Sequence, residues 1–252
     1  MKAAHFVLLV GVLLSATTEA FPQQMKTIPA GKLQSFIKSK ENTAEIASFL
    51  LDERPVTNGE FLAFVKENPQ WSPENIKRIF AEVEYLSHWT QAFVDGTNPL
   101  AAHQPVVNVS WFAARAYCQS LGKRLPLMAE WEYAALAPPV DNHYQSTEEI
   151  ILNWYSRKMP QGAIAGSVYR NSYGVYDLFG LIWEWTEDFD RVNFSDDTRN
   201  NADIPEGLFC GSAAMNAADA SDYATFIRYA FRASLKGQYT NRKLGFRCAK
   251  SL

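Results

Sequence analysis

A chain of 252 residues is long enough to bury one large hydrophobic core or two small ones. Its 24 basic and 27 acidic residues nearly balance and form no basic run, which argues against nucleic acid as a partner, because phosphate binding needs a concentrated positive surface. Aromatic residues make up 13% of the chain, a composition typical of loop-rich folds held together by large side chains.

The first 20 residues have the layout of a secretory signal peptide. Lys2 supplies a positive charge, residues 6–14 are apolar, and Ala20 provides a small residue for cleavage. This apolar stretch is too short to cross a bilayer, which takes about 20 residues. We therefore expect residues 1–20 to be removed and residues 21–252 to be exported to the periplasm or secreted.

The chain has three cysteines, Cys118, Cys210 and Cys248. In an oxidising compartment an odd number indicates one disulfide and one remaining thiol. The sequence by itself leaves all three pairings open, and no cysteine lies in a C-x-x-C motif.

The first predicted elements lie between residues 46 and 68. Residues 46–51 could form a strand. Thr57 and Glu60 then have the spacing of a capping box, and the apolar residues at 61–65 recur with helical period. Asn68, which precedes a proline, ends this predicted helix.

Two further helices are predicted after a looser segment at 73–88. Ser110 can cap one helix, and Gly122 can end it. A third helix is predicted over 128–136 and ends before Pro138. The predicted buried face of the second helix consists of Trp111, Ala114, Cys118 and Leu121.

After about residue 141, short apolar stretches alternate with Gly, Asn, Asp and Ser. This pattern predicts a few short strands in an irregular region, with no helix longer than two turns. We find no internal repeat and no linker, so a single domain is expected.

Four segments together resemble the formylglycine-generating enzyme family, which is also called the sulfatase-modifying factor family. The opening segment is Pro55-Val56-Thr57-Asn58 with Phe61, and the closing one is Leu244-Gly245-Phe246-Arg247-Cys248-Ala249. Between them lie Gln104–Cys118, continuing through Gly122–Pro126 to Ala129–Ala134, and Asn171–Gly180, continuing to Trp183-Glu184-Trp185. The resemblance covers about residues 50 to 250.

This resemblance implies a compact α+β fold with little regular structure, related to C-type lectins. It also implies a pairing for the cysteines. The family joins the cysteine of its Ala-Tyr-Cys helix to that of its terminal Gly-Phe-Arg-Cys, which here are Cys118 and Cys248. Cys210 would then be the remaining thiol.

Members that make formylglycine bind Cu(I) through two cysteines that follow a Gly-Ser motif, and soft thiolates suit this ion. Counting forward from the matching Gly-Ser pair places Met215 and Ala220 at the cysteine positions. Counting back from the C-terminal cysteine places Asp219 and Ala224 there instead. Neither register supplies a cysteine, so we do not expect the family's oxidation of a sulfatase cysteine.

The resemblance also implies cleft residues. Trp185, Ser212, Arg228 and Arg232 match positions that line the family's substrate cleft. The alternative for the two arginines is a structural role in a loop-rich core. The alternative for the tryptophans is core packing, which we favour for Trp183.

A structural Ca²⁺ site is the metal that the resemblance implies. Glu184 and the backbone carbonyls of Phe179, Gly180 and Ile182 match its oxygen ligands, which suit this hard cation. Leu181 stands where the family has an asparagine.

Two further metal hypotheses are open. Cys210 and Met215 could bind Cu(I) as soft ligands, but a buried thiol and a gap-filling methionine are the favoured interpretation. An iron site would need His88, His103 and His143 to converge, and surface or structural roles are favoured for these widely separated histidines.

We expect an exported accessory or maturation factor that binds another exported protein or peptide. Residues 210–235 resemble an exported subgroup associated with copper nitrite reductases, the NirV-type accessory proteins. One alternative is a periplasmic metal-dependent oxidase of the pyoverdine-maturation type. The other is a non-catalytic, lectin-like binding module.

Overall fold

The structure, a computed structural model, describes residues 23–34, 43–140, 146–156, 162–190, 227–228 and 230–252. Its helices are α1 (Asn58–Glu67), α2 (Gln91–Val94), α3 (Pro99–Ala102), α4 (Trp111–Ser120), α5 (Met128–Ala135) and α6 (Thr147–Ser156). A 3₁₀ turn spans Pro69–Trp71, and further helical residues lie at 227–228 and 230–233. The expected α+β fold with modest regular structure is confirmed.

The strands are β1 (Met25–Ile28), β2 (Gly31–Gln34), β3 (Thr43–Ile46), β4 (Phe49–Asp52), β5 (Trp183–Glu184), β6 (Leu244–Gly245) and β7 (Ala249–Ser251). β4 lies between β1 and β7 in an antiparallel sheet, and β2 pairs with β3. β5 and β6 pair in parallel, with Glu184 opposite Gly245. The closing motif therefore contacts β5 through β6 and β4 through β7.

The capping signals predict the helices well. The Thr57 side chain accepts from the backbone N–H of Glu60, and the Glu60 carboxylate accepts from that of Thr57, which completes the expected capping box of α1. Ser110 caps α4 in the same manner. Gly122 follows α4 with φ of 65°, the left-handed conformation in which glycine commonly ends helices.

Two clusters of buried side chains form the interior. The first joins α1 and α4 to the C-terminal segment around Phe246. The second packs β1 and β4 against α5, α6 and the turns at 169–179. Trp185 belongs to the first cluster and Trp131 to the second, and the charged side chains described below lie at both.

Cys118 and Cys248 are joined by a disulfide, with a Cα–Cα distance of 5.6 Å and 130 residues between them in sequence. Neither residue is accessible to solvent. Beside the bridge, the Asp52 carboxylate accepts from Lys123 Nζ at 2.6 Å and from the backbone N–H of Cys248 at 3.0 Å. The bridge therefore fixes α4 to the strand that completes the sheet.

Several predicted elements were wrong. The region after residue 141 contains α6, whose ten residues exceed two turns. The looser segment at 73–88, for which no element was predicted, forms successive turns. The strand expected at 46–51 is divided between the end of β3 and β4. Leu121, placed on the buried face of α4, is 52% exposed because the helix has ended there.

Across the described ranges, we find no helix with the length and apolar character needed to cross a membrane.

Candidate functional site

Arg228 and Arg232, the two arginines predicted to line a cleft, converge on the carboxylate of Glu132 in α5. Arg228 donates to both oxygens, with Nη2 at 2.8 Å from Oε2, and Arg232 Nη1 donates to Oε1 at 2.7 Å. All three side chains are at most 2% exposed. The three charged groups contact one another directly and are shielded from solvent. This arrangement supports the structural alternative for the two arginines.

Aromatic faces complete the environment of this cluster. The guanidinium of Arg228 lies 5.0 Å from the ring centre of Phe179, and that of Arg232 lies 4.5 Å from Trp131. Both distances are within the range of cation–π attraction. The rings replace part of the hydration that the two cations lose on burial.

Two guanidinium groups share one carboxylate, so Glu132, Arg228 and Arg232 together carry a formal charge of +1 in the interior. Burial would raise the pKa of Glu132, but the two arginines outweigh it and hold the pKa below its ordinary value. Arg232 Nε has no hydrogen-bond partner within the described part of the chain. The cluster is thus rich in positive charge and in donors.

Glu184 forms a second buried ion pair, with Arg247 of the closing motif. Arg247 Nε and Nη2 donate to the two carboxylate oxygens, each at 2.8 Å, in the bidentate geometry that suits these groups. Arg247 also donates to the backbone carbonyls of Asp52 and Tyr176. The pair therefore ties β5 to the C-terminal segment and to the end of β4.

Trp131 connects the two ion clusters. Its indole Nε1 donates to Glu184 Oε2 at 2.7 Å, while its ring face receives the guanidinium of Arg232. A continuous series of contacts therefore runs from Arg247 through Glu184 and Trp131 to Arg232 and Glu132. This series crosses the interior from Arg247, which precedes the disulfide residue Cys248, to the helical residues at 227–228 and 230–233.

The two tryptophans beside Glu184 both contact the first core cluster, Trp185 as a buried member and Trp183 as a partly buried neighbour. Trp185 packs on Phe189 and donates to the carbonyl of Val109 at 2.9 Å, and its predicted place in a cleft stays a prediction. Trp183, for which core packing was favoured, is half-buried. Its ring lies 4.8 Å from that of Trp154 and 4.4 Å from that of Phe231.

The sequence that forms this fold also matches a known protein family. The family described as the sulfatase-modifying factor enzyme 1-like domain matches residues 13–252. The chain belongs to this family.

Relatives of this sulfatase-modifying factor domain include active and inactive enzymes. The chain is 28% identical over 275 residues to the inactive C-alpha-formylglycine-generating enzyme 2 of Bos taurus, with 89% of this chain and 87% of that protein covered. It is 32% identical over 168 residues to the formylglycine-generating enzyme of Mus musculus, covering 59% and 44% of the two chains.

A third relative shows that the domain occurs within longer proteins. The serine/threonine-protein kinase pkn1 of Chlamydia pneumoniae is 29% identical over 210 residues, which are 81% of this chain. The chain spans about a third of the length of this kinase, 33%.

Among solved structures, PvdO from Pseudomonas aeruginosa has a TM-score of 0.50 at 18% identity, covering 90% of this chain and 94% of that chain. Treponema denticola variable protein 1 has a TM-score of 0.50 at 19% identity, covering 90% and 95%. At this level of identity the likeness concerns the fold alone.

The calcium site that the family implies does not fit the residues present. Both carboxylate oxygens of Glu184 accept from the Arg247 guanidinium, and one also accepts from Trp131. A divalent cation bound to the same oxygens would lie against a buried positive charge, which is unfavourable. Phe179 and Ile182 place their side chains in the core, and Gly180 adopts φ of 90°. We therefore read these residues as parts of a structural turn.

The family's copper chemistry needs two thiols, and this chain does not supply them at the corresponding positions. Two of its three cysteines form the disulfide. Cys210, Met215 and the cleft residue Ser212 lie outside the described residues, so the Cu(I) hypothesis for the first two stays a prediction.

The histidines do not converge within the described ranges, where no group of three His, Cys, Asp or Glu side chains could hold a metal. His88 Nε2 lies 3.1 Å from Asn58 Oδ1, and His103 is exposed at the end of α3. His143 lies outside the described residues.

Sequence reasoning missed Glu132 and Trp131, the residues that organise the interior charges. A signal was present: Glu132 lies between two aromatic residues, within a helix that is mostly apolar apart from Glu130 in its first turn. A carboxylate on such a helix needs a cation when the helix is buried. Its partners are 96 and 100 residues away in sequence, so no local pattern identifies them.

Proposed function

We propose that this chain is an exported formylglycine-generating-enzyme-like protein that acts as an accessory or maturation factor and does not oxidise sulfatase cysteines. In this proposal it binds another exported protein or peptide. The resemblance of residues 210–235 to NirV-type proteins makes a copper nitrite reductase the first partner to test.

One observation carries the proposal. The family's oxidation needs two thiolates on one Cu(I) ion, and this chain has three cysteines, two of which are joined in a buried disulfide. Cys210 is left as a single thiol, and one thiolate cannot form that site. The relative described as an inactive formylglycine-generating enzyme 2, which aligns over 89% of this chain, supports a non-oxidising role for this scaffold.

The retained ion clusters support a folded binding scaffold. Burying two arginines on one glutamate costs desolvation energy that only good geometry offsets. Here Glu132, Arg228 and Arg232 meet with near-ideal distances. Loops anchored by such a buried cluster would offer a bound polypeptide an ordered surface.

The first test is an oxidation assay. The mature protein is incubated aerobically with Cu(I) and a cysteine peptide carrying a sulfatase motif, and aldehyde formation and oxygen consumption are followed. The proposal predicts neither, while an active family member assayed in parallel gives both. Aldehyde formation by this protein would contradict the non-oxidising part of the proposal.

The second test concerns the partner. The tagged mature protein is cross-linked in its native export compartment, and co-purified proteins are identified by mass spectrometry. A reproducible exported partner that also binds the purified protein is the expected result. Oxygen consumption with that partner would instead support an oxidase of the pyoverdine-maturation type, and a bound glycan without a protein partner would support a lectin-like module.

A further inference from the structure

Four half-buried aromatic rings form a row that packs against the first core cluster through Trp71 and Trp111. Ring centres are 5.9 Å apart for Trp71 and Phe80, 5.4 Å for Phe80 and Phe112, and 5.3 Å for Phe112 and Trp111. We call these four residues the aromatic surface. Each ring packs on its neighbours by one part and is open to solvent by another.

Two aliphatic side chains extend this surface. Ile79 is 68% exposed and Val83 is 70% exposed, and both lie on the turns that carry Phe80. Single exposed aliphatic residues are common on protein surfaces. Here Ile79 and Val83 lie within three residues of Phe80, and exposed apolar side chains that cluster are typical of interaction sites.

The aromatic surface is held in place by the backbone around it. The segment at 236–238 lies against it, because Trp111 N–H donates to the carbonyl of Gly237 at 3.0 Å. A Cβ at Gly237 would lie 2.9 Å from the ring of Phe112, so glycine allows this close approach. Glu82 N–H donates to the carbonyl of Gln238, which fixes the turn after Phe80. A partner would therefore meet a surface that is already ordered.

Two chain segments that adjoin Phe80 and Phe112 are basic, whereas the whole chain is slightly acidic; on the Trp111 side, Glu187 is paired with Arg115. The two adjoining segments, 72–88 and 236–243, contain five basic and three acidic side chains, while the chain carries a net charge of −3. Two of the acids accept local hydrogen bonds: Glu82 from the backbone N–H of Thr240 and Glu84 from Ser87. The basic residues are Lys77, Arg78, Lys236, Arg242 and Lys243, and none of them forms an ion pair within the described ranges.

We propose that the aromatic surface and its basic border dock an acidic polypeptide segment that carries aromatic or aliphatic side chains. The rings would receive the apolar side chains of that segment, and the basic border would attract its carboxylates and set its orientation. The inference rests on the proposed function in one respect, namely that the occupant is a polypeptide.

The test uses a labelled peptide of repeating Glu-Tyr-Glu-Leu and a matched Lys-Tyr-Lys-Leu peptide, with binding to the mature protein followed by fluorescence anisotropy. We expect the acidic peptide to bind about tenfold more tightly than the basic one, and its affinity to fall with added salt because the charges are exposed. Equal affinities for the two peptides, or no binding of either, would overturn the proposal.

Two surface variants locate the binding. Lys77→Glu with Arg78→Glu reverses the border, and Ile79→Asp with Val83→Asp disrupts the apolar part; each should weaken the acidic peptide by about tenfold. The matched controls are Leu100→Asp and Lys250→Glu, which alter equally exposed residues elsewhere and should bind as the wild type does. Circular dichroism establishes that all four variants are folded, and equal loss in the controls would contradict the location.

A single-stranded oligonucleotide serves as a polyanion control. It should compete weakly, since it lacks side chains that fit the rings, and competition as strong as that of the acidic peptide would show a merely electrostatic surface. The cross-linking experiment on the native partner separates this inference from the proposed function. If surface variants capture that partner as well as the wild type does, the docking surface is wrong and the accessory role stands.

Discussion

At the scale of single residues, Glu132 decides whether two arginines can remain buried. Its carboxylate accepts from both Arg228 and Arg232, and all three side chains are at most 2% exposed. Removing one member of a buried ion cluster leaves the others uncompensated, which costs more than the cluster itself contributes. The side chain of Glu132 therefore has a structural role that the sequence motif alone does not disclose.

The Glu132→Gln variant keeps the shape of the side chain and removes its charge. We expect it to lower the free energy of unfolding by about 3–5 kcal/mol, because both guanidinium groups lose their counter-ion. Urea unfolding measures this change. Glu45→Gln is the control, since the Lys32–Glu45 pair is largely exposed and should contribute little. Equal stability of the two variants would show that the cluster is not the anchor described here.

His88 should make stability depend on pH. Asn58 Oδ1 accepts from both His88 Nε2 and Trp89 Nε1, so the Nε2 atom carries the proton and Nδ1 is left as an acceptor. Nδ1 is buried and has no partner among the described residues. Burial, aided by the charge of Arg242, lowers the pKa of His88 to about 4. Neutral His88 is therefore the form that suits the fold.

Because the pKa of His88 is lower in the folded state than its ordinary value of about 6.5, the unfolded chain binds the extra proton first as the pH falls. His88 should therefore reduce stability progressively between about pH 6.5 and pH 4, by a total on the order of 2 kcal/mol. Unfolding curves across this range measure the effect. His88→Gln should flatten this part of the profile, whereas His103→Gln, at an exposed position, should not; an unchanged profile in His88→Gln would exclude this assignment.

At the scale of elements, the short parallel pair of β5 and β6 requires a glycine at position 245 of the closing motif. A Cβ at Gly245 would lie 2.2 Å from the backbone carbonyl oxygen of Val106, which cannot move aside as a side chain could. Gly245 thus lets the C-terminal segment pass directly against the backbone that precedes α4. That approach places Arg247 opposite Glu184.

The Gly245→Ala variant should therefore be destabilised by about 3 kcal/mol. Gly122→Ala is the matched control: it has positive φ but no atom within 4 Å of the added Cβ, so it should cost only about 1 kcal/mol of backbone strain. Thermal unfolding of the two variants compares the cost of the steric contact at Gly245 with the cost of backbone strain at Gly122. A smaller loss in Gly245→Ala than in Gly122→Ala would contradict the close approach.

The helices whose ends carry capping residues were predictable from sequence, whereas the strands were predictable only in part, as the expected strand at 46–51 overlaps β4 at residues 49–51. Thr57, Glu60 and Ser110 act within three residues of themselves, so local chemistry specifies α1 and α4. α6 was missed although Ile150 and Trp154 have helical spacing, because the surrounding polar residues suggested loops. Strands of two to four residues owe their existence to distant partners, as β4 does to β7, and no local pattern is long enough to reveal them.

At the scale of the whole molecule, the disulfide links α4 covalently to the C-terminal segment. It joins α4 to the end of the chain across 130 residues, between two buried cysteines. In the chain-entropy account, a cross-link of this span stabilises the fold by restricting the unfolded chain. Together with the Glu184–Arg247 pair, it binds the C-terminal segment to both core clusters.

Replacing both cysteines, as Cys118→Ala with Cys248→Ala, should lower the free energy of unfolding by about 4 kcal/mol. Chemical unfolding with and without a reductant measures this loss. The reductant should bring the wild type close to the variant and leave the variant unchanged. If the reductant leaves the free energy of unfolding of the wild type unchanged, the bridge contributes little.

The candidate site was only partly predictable for the same reason of distance. The family resemblance located Arg228, Arg232 and Glu184, but their roles depend on partners far away in sequence. Arg247 donates to both oxygens of Glu184, which makes them poorly suited to a calcium ion, and the motif around Glu184 does not reveal this pairing. Sequence identifies which residues carry charge, whereas folding decides which charges neutralise each other.

The absence of a thiolate pair is the claim on which the functional proposal depends most. It is tested most directly by counting thiols in the mature protein, made in an oxidising compartment, after alkylation under denaturing and non-reducing conditions and analysis of its peptides by mass spectrometry. The account predicts alkylation at Cys210 alone, with Cys118 and Cys248 recovered as one cross-linked peptide. Alkylation at all three cysteines, or a cross-link that includes Cys210, would contradict it.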